Sequence, residues 1–269
     1  MDGRRAELAA NLERVEERIA AACAAAGRER GEVTLIVVTK TYPAEDVRLL
    51  AGLGVRHVAE NRDQDAAPKA AACADLPLTW HFVGQLQTNK VRSVAGYAGV
   101  VHSVDRPRLV GALSTAAVRA GRELGCLIQV GLDAETAETA AGTANSRGAG
   151  EPGQAEGAGR AGGGARPDTG GRGGSAPGAV AELADAVAAA EGLRLDGVMT
   201  VAPLAGPYAG DPGAAFARLA EISSGLRARH PGATAVSAGM SGDLEEAIRA
   251  GATHVRVGTA VLGVRPGLR

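Results

Sequence analysis

Apolar residues near the start of the chain recur at alternating steps of four and three: Leu8, Leu12, Val15, Ile19 and Ala22, with arginine and glutamate between them. That spacing predicts an amphipathic helix, and Gly27 supplies its stop. The pattern then changes. Val33 to Lys40 reads VTLIVVTK, a β-branched run suited to a buried strand. Pro43 opens a second helix carrying Val47, Leu50 and Ala51 on one face and ending near Gly52 or Gly54. The alternation continues, with strands predicted at 55–59, 80–84, 99–103, 125–132, 193–200, 234–238 and 253–258. Helices are predicted at 62–73, 88–96, 106–121, 178–190, 213–229 and 242–250.

Eight strands, mostly separated by helices, imply a parallel sheet covered by helices. In 269 residues this favours an α/β fold consisting of a single (β/α)8 TIM-like barrel with an additional N-terminal helix. An open doubly wound sheet is the alternative, because periodicity does not report closure. One stretch stands apart. Residues 142–178 are more than a third glycine and hold no aromatic or large aliphatic side chain. Such a segment buries too little apolar surface to offset its ordering entropy, so a disordered insertion within one domain spanning 1–269 is expected.

Charge and cysteine content narrow the class. With 29 basic and 30 acidic residues the net charge is −1, which gives no reason for a nucleic-acid partner. The three cysteines lack CxxC spacing, as in a protein of a reducing compartment. The five histidines form no metal-binding motif, so no metal site is expected. No apolar run is long enough to cross a membrane and the N-terminus has no apolar leader segment, so a cytoplasmic location is expected.

Candidate chemistry gathers at strand ends. Lys40 closes a strand whose preceding residues Thr34 to Thr39 are uncharged, which predicts an enclosed stem. An amine beside a dry site becomes a usable nucleophile toward an aldehyde. Only two other lysines exist, Lys69 and Lys90, both on predicted helices. In 237–263 (SAGMSGDLEEAIRAGATHVRVGTAVLG), Ser241 is the expected N-cap, Asp243 falls in the first helical turn, and Gly251 is the stop. Ser237, Gly258 and Thr259 then stand at the ends of the last two strands, where barrels often bind phosphate. Arg256 alternates with Val255 and Val257 and is expected to point into the barrel, needing a carboxylate or a ligand as its partner. Asn61, Gln85, Gln87 and Asn89 offer uncharged hydrogen-bonding groups at two further strand ends, with Glu60 beside them. His81 reads best as a packed, hydrogen-bonded residue.

Four ordered stretches, VVTKTYPAEDVRLLAGLGVRHVAENRDQDAAPKA, WHFVGQLQTNK, LRLDGVMTVAP and SAGMSGDLEEAIRAGATHVRVGTAVLG, resemble the pyridoxal phosphate homeostasis protein family, whose barrel is related to the N-terminal domain of alanine racemase. The resemblance implies that Lys40 holds pyridoxal 5'-phosphate (PLP) as a Schiff base. It also implies that Ser237, Gly258 and Thr259 hold the phosphate, that Arg256 faces the pyridine nitrogen, and that Asn61 lies beside the ring. Departures from the family pattern are Ala59, Ala238 and Gly242, and the loop after the fifth strand, which has no lysine.

An arginine donates only, and an unprotonated ring is a poor electron sink. The chain ends at Arg269, soon after the last strand, so no second, β-rich domain like that of alanine racemase is expected. Little or no turnover is therefore expected, with a weak racemase, or a barrel enzyme acting on a phosphorylated metabolite, as the alternatives. The expected protein is a monomeric PLP carrier whose partners would be PLP-dependent apo-enzymes.

Overall fold

The computed structural model describes residues 2–133, 135 and 173–263. Eight parallel strands close into a barrel in sequence order, β1 pairing with both β2 and β8. The strands are β1 Thr34–Val38, β2 His57–Glu60, β3 Thr79–Phe82, β4 Val100–Val104, β5 Leu124–Gln129, β6 Leu193–Met199, β7 Ala235–Ser237 and β8 His254–Val257. Around them run α1 Asp2–Ala25, α2 Ala44–Gly52, α3 Asp63–Ala72, α4 Val91–Tyr97, α5 Pro107–Ala120, α6 Val180–Ala189, α7 Pro212–Arg229, α8 Leu244–Arg249 and α9 Thr259–Leu262. Closure settles the choice left open by periodicity, since the first and last strands share a four-residue register, from Thr34 opposite His254 to Val37 opposite Val257.

Alternate strand residues divide between two environments, as period-two geometry demands. Val37, Val58, Trp80, Val255 and Val257 point outward and pack with Leu8, Val15 and Ile19 of α1 and with Leu50 and Ile248. On the opposite arc Phe82, Val101, Ile128 and Val198 meet Leu109, Leu113, Val187 and Phe216. The intervening positions face the lumen. The additional N-terminal helix is tied down by polar contacts as well as by its apolar stripe. Arg4 reaches Asp46 and the Leu262 carbonyl, Asn11 reaches the Val261 carbonyl, and Arg18 forks onto Glu245.

Residues 142–172 of the glycine-rich stretch lie outside the described residues. Its last part, 173–178, returns alongside β5: Ser175 donates its N–H to the Gln129 carbonyl and accepts from Gly131. Here glycine is required. At Gly174, with φ +123°, an added Cβ would stand 2.5 Å from the Gly131 nitrogen. One local expectation is corrected. The N-cap of α8 is Asp243 rather than Ser241, because the Asp243 carboxylate already accepts the Met240 N–H at 2.6 Å and holds 241–243 as a turn. The chain after β8 forms a short helix, α9.

Candidate functional site

Lys40 lies just past the C-terminal end of β1, at the barrel mouth. Its side chain is exposed, which corrects the expected enclosed stem: the dry environment ends one residue earlier, at Thr39. Among the described residues no hydrogen bond or ion pair engages the Lys40 amine. Thr39, in contrast, is fully buried. Its hydroxyl donates to Glu60 at 2.6 Å, its N–H donates to the Ala59 carbonyl, and its own carbonyl accepts from Lys69 at 2.9 Å. Thr41 follows in the left-handed region, φ +70°, an uncommon conformation for a β-branched residue. The Lys40 turn is therefore held from below, with the amine itself outside the held part.

Lys69 changes the lysine comparison. It is 8% exposed and its ammonium contacts both Glu60 and the Thr39 carbonyl, so it is a core residue in spite of its helical position. Nothing in its local sequence signals this, because the partner is nine positions away on a different element. The other Glu60 oxygen, Oε2, is buried and without a hydrogen-bond partner among the described residues.

Arg256 points into the lumen, as its alternation with the valines implies, and is 4% exposed. It donates to the Ser237 hydroxyl at 2.6 Å and to the Thr200 carbonyl at 2.8 Å. Both acceptors are neutral, and no carboxylate among the described residues pairs with it. Burial lowers its pKa to about 10, with Asp243 opposing from a distance. Ser237 is completely buried and its oxygen also lies 3.1 Å from His102 Nδ1. Its hydroxyl therefore serves the lumen. Ser241, read from sequence as a cap, sits instead in the loop beyond β7, partly exposed, with no side-chain hydrogen bond among the described residues.

The remaining residues line the mouth. Gly258 is partly buried at the end of β8, and Thr259 is exposed as the first residue of α9. An added Cβ on Gly258 would stand 3.2 Å from the Val38 carbonyl oxygen, so glycine lets the ends of β8 and β1 approach closely. Asn61 and Gly84 are closer still: a Cβ on Gly84 would stand 2.0 Å from the Asn61 carbonyl oxygen. The two uncharged stretches do converge, since one cleft is lined by Asn61, Phe82, Gln85, Gln87 and Lys90 among others. His81 and His102 lie in the lumen, where burial holds both imidazoles well below the usual histidine pKa. Their pairing across strands could not be read from a local pattern. The described residues contain no cluster suited to a metal ion, and no helix among them is long and apolar enough to cross a membrane.

The family model of the alanine racemase N-terminal domain matches residues 166–266. A pyridoxal phosphate homeostasis protein of Mycobacterium tuberculosis is 40% identical, covering 97% of this chain and 94% of the relative. The protein of that name from Escherichia coli K12 is 32% identical, over 96% of this chain and 97% of its own. The solved structure of PipY from Synechococcus elongatus, with PLP bound, has a TM-score of 0.67 and 31% identity, covering 86% of this chain and 93% of that one. Identity of this level over nearly the whole length, on the same closed barrel, shows that the chain belongs to the pyridoxal phosphate homeostasis protein family.

Proposed function

We propose that this protein binds PLP at the barrel mouth, tethered to Lys40 as a Schiff base, and serves cytoplasmic PLP homeostasis with little or no turnover. The observation that carries the reading is a pair of basic groups on one barrel, neither of which has a charged partner among the described residues. Lys40 offers an amine with no partner among the described residues, and Arg256 offers a buried cation with no carboxylate. A cation so placed is strongly disfavoured unless something accepts from it. A ring nitrogen that accepts and carries no proton suits that requirement.

The fit extends to the rest of the mouth. Gly258 and Thr259 would hold the phosphate, with the Ser241 hydroxyl as an additional donor on the neighbouring loop. Ser237 would act on the cofactor through Arg256, to which its oxygen is already committed. Asn61 would lie beside the ring, in the space kept by its close approach to Gly84. When bound, PLP supplies an aldehyde for the tether and an electron-withdrawing ring, which is weak in that role while unprotonated.

Low turnover is supported by the chain's own side chains. Tyr42 donates its hydroxyl to the Gly263 carbonyl at 2.6 Å, and burial pushes the Tyr97 phenol far above its ordinary pKa. Neither is prepared to act as a base. The homeostatic role would be to hold PLP and release it to PLP-dependent apo-enzymes. The test is titration with PLP followed by visible absorbance, beside an amino-acid racemisation assay. A yellow complex in the wild type, lost in Lys40→Ala and without racemisation, is expected. A colourless protein, or reproducible racemisation that needs Lys40, would overturn the reading.

A further inference from the structure

Three imidazoles cross the lumen in hydrogen-bond contact. His57, the half-buried first residue of β2, has Nδ1 3.0 Å from His81 Nε2 on β3. His81 Nδ1 is 2.8 Å from His102 Nε2 on β4, and His102 Nδ1 is 3.1 Å from the Ser237 hydroxyl on β7. Ser237 accepts from Arg256 on β8. The chain therefore runs from the N-terminal rim of the barrel to the arginine beneath its mouth, through five side chains on five strands.

Its direction follows from elementary donor and acceptor chemistry. A guanidinium only donates, so the Ser237 oxygen accepts from Arg256. Among the described residues the only acceptor in reach of the Ser237 hydrogen is His102 Nδ1, which therefore receives it. His102 must then carry its proton on Nε2 and donate to His81 Nδ1. His81 likewise carries its proton on Nε2 and donates to His57 Nδ1, leaving the His57 Nε2–H at the barrel floor. The Arg256 donor at one end and the single acceptor for the Ser237 hydrogen together set every tautomer. Burial keeps His81 and His102 neutral, which the arrangement needs, since a doubly protonated imidazole could not accept.

We propose that His81 and His102 are positioning residues that lock the Ser237 hydroxyl, and through it the Arg256 guanidinium, as a donor-only group oriented toward the ligand at the mouth. The part concerning the ligand rests on the PLP reading; the array itself does not. Two experiments keep these apart. In ligand-free protein labelled with 15N-histidine, His81 and His102 should both appear as neutral Nε2–H tautomers near pH 7. Ser237→Ala should move the His102 Nδ1 resonance. An Nδ1–H tautomer at either residue, or no response to Ser237→Ala, overturns the array.

The second experiment measures PLP retention in two variants of similar size. His102→Gln supplies an acceptor for Ser237 and a donor for His81, whereas His102→Leu supplies neither. His102→Leu should weaken retention at least tenfold and shift the ring-nitrogen resonance of 15N-labelled PLP, with His102→Gln close to wild type. Equal behaviour of the two folded variants overturns the positioning role. Failure of the wild type to bind PLP overturns the site reading and the ligand part of this proposal, while the tautomer measurement still decides the array.

Discussion

The lumen and the mouth of this barrel are built on opposite principles. In the lumen polar groups are matched across strands: Arg256 to Ser237 and Thr200, His102 to His81, His81 to His57. Just below the mouth, Thr39 and Lys69 engage one oxygen of Glu60, and Lys69 also reaches the Thr39 carbonyl. At the mouth itself Lys40 is exposed and Ser241 is not engaged among the described residues. The contrast teaches where rigidity is placed. Buried polar networks are strongly stabilised only when satisfied, and they fix geometry. A residue meant to meet a ligand is left outside them, on a turn anchored by its buried neighbour Thr39.

The largest effect expected from this contrast is acid sensitivity. His81 and His102 have folded pKa values well below the usual 6.5, and His254 is lowered to about 4, in each case mainly by burial. The unfolded chain therefore takes up protons that the folded state refuses as pH falls. Stability should be full above the ordinary histidine pKa and decline as pH falls below it, His254 alone contributing on the order of 1.4 kcal/mol per pH unit down to about pH 4 and His81 and His102 acting in the same direction. Urea melts across this range measure it; the Asp75 carboxyl, held below its usual range by Arg48, adds its own loss only at still lower pH, as the carboxylates protonate. His102→Gln should flatten the slope; an unchanged slope would break the link to the array.

Next in size is the difference between two lysines. Lys69→Met leaves the Glu60 carboxylate buried without its cation and should cost about 3–5 kcal/mol in denaturant melts. Lys40→Ala, at an exposed position without a described partner, should stay within about 0.5 kcal/mol of wild type while abolishing PLP binding. Similar destabilisation by both would erase the distinction between mouth and interior. Gly84→Ala places a methyl against the Asn61 carbonyl and should cost about 1–3 kcal/mol, with weaker PLP retention. The smallest effect is expected at Thr41→Gly, which relieves the left-handed conformation. Thermal melts should show a gain of up to about 1 kcal/mol, and a loss would mean that Thr41's contacts outweigh its backbone conformation.

The barrel was legible in the sequence because its signals are local. Alternation and turn residues placed every strand close to its observed position, β1 being predicted at 33–40 and found at Thr34–Val38. The inward direction of Arg256 followed from the same period-two argument. What escaped notice depends on contacts distant along the chain. His102 and Ser237 are 135 positions apart, so no window contains both. The helical position of Lys69 was legible, but its burial was not, because only the folded barrel brings Glu60 beneath it. Lys40 was expected to be enclosed by its apolar neighbours, but the enclosure ends where the strand meets the mouth. The Ser241 cap failed for a similar reason: Asp243, two residues later, already held the Met240 N–H.

The most direct test of the account is to load the protein with PLP, reduce it with borohydride, and locate the label by peptide mass spectrometry. The account predicts a phosphopyridoxyl group on Lys40 alone, since the amine of Lys69 is committed to Glu60 and Thr39. A label on Lys69 or Lys90, or folded protein that carries no label, would contradict it.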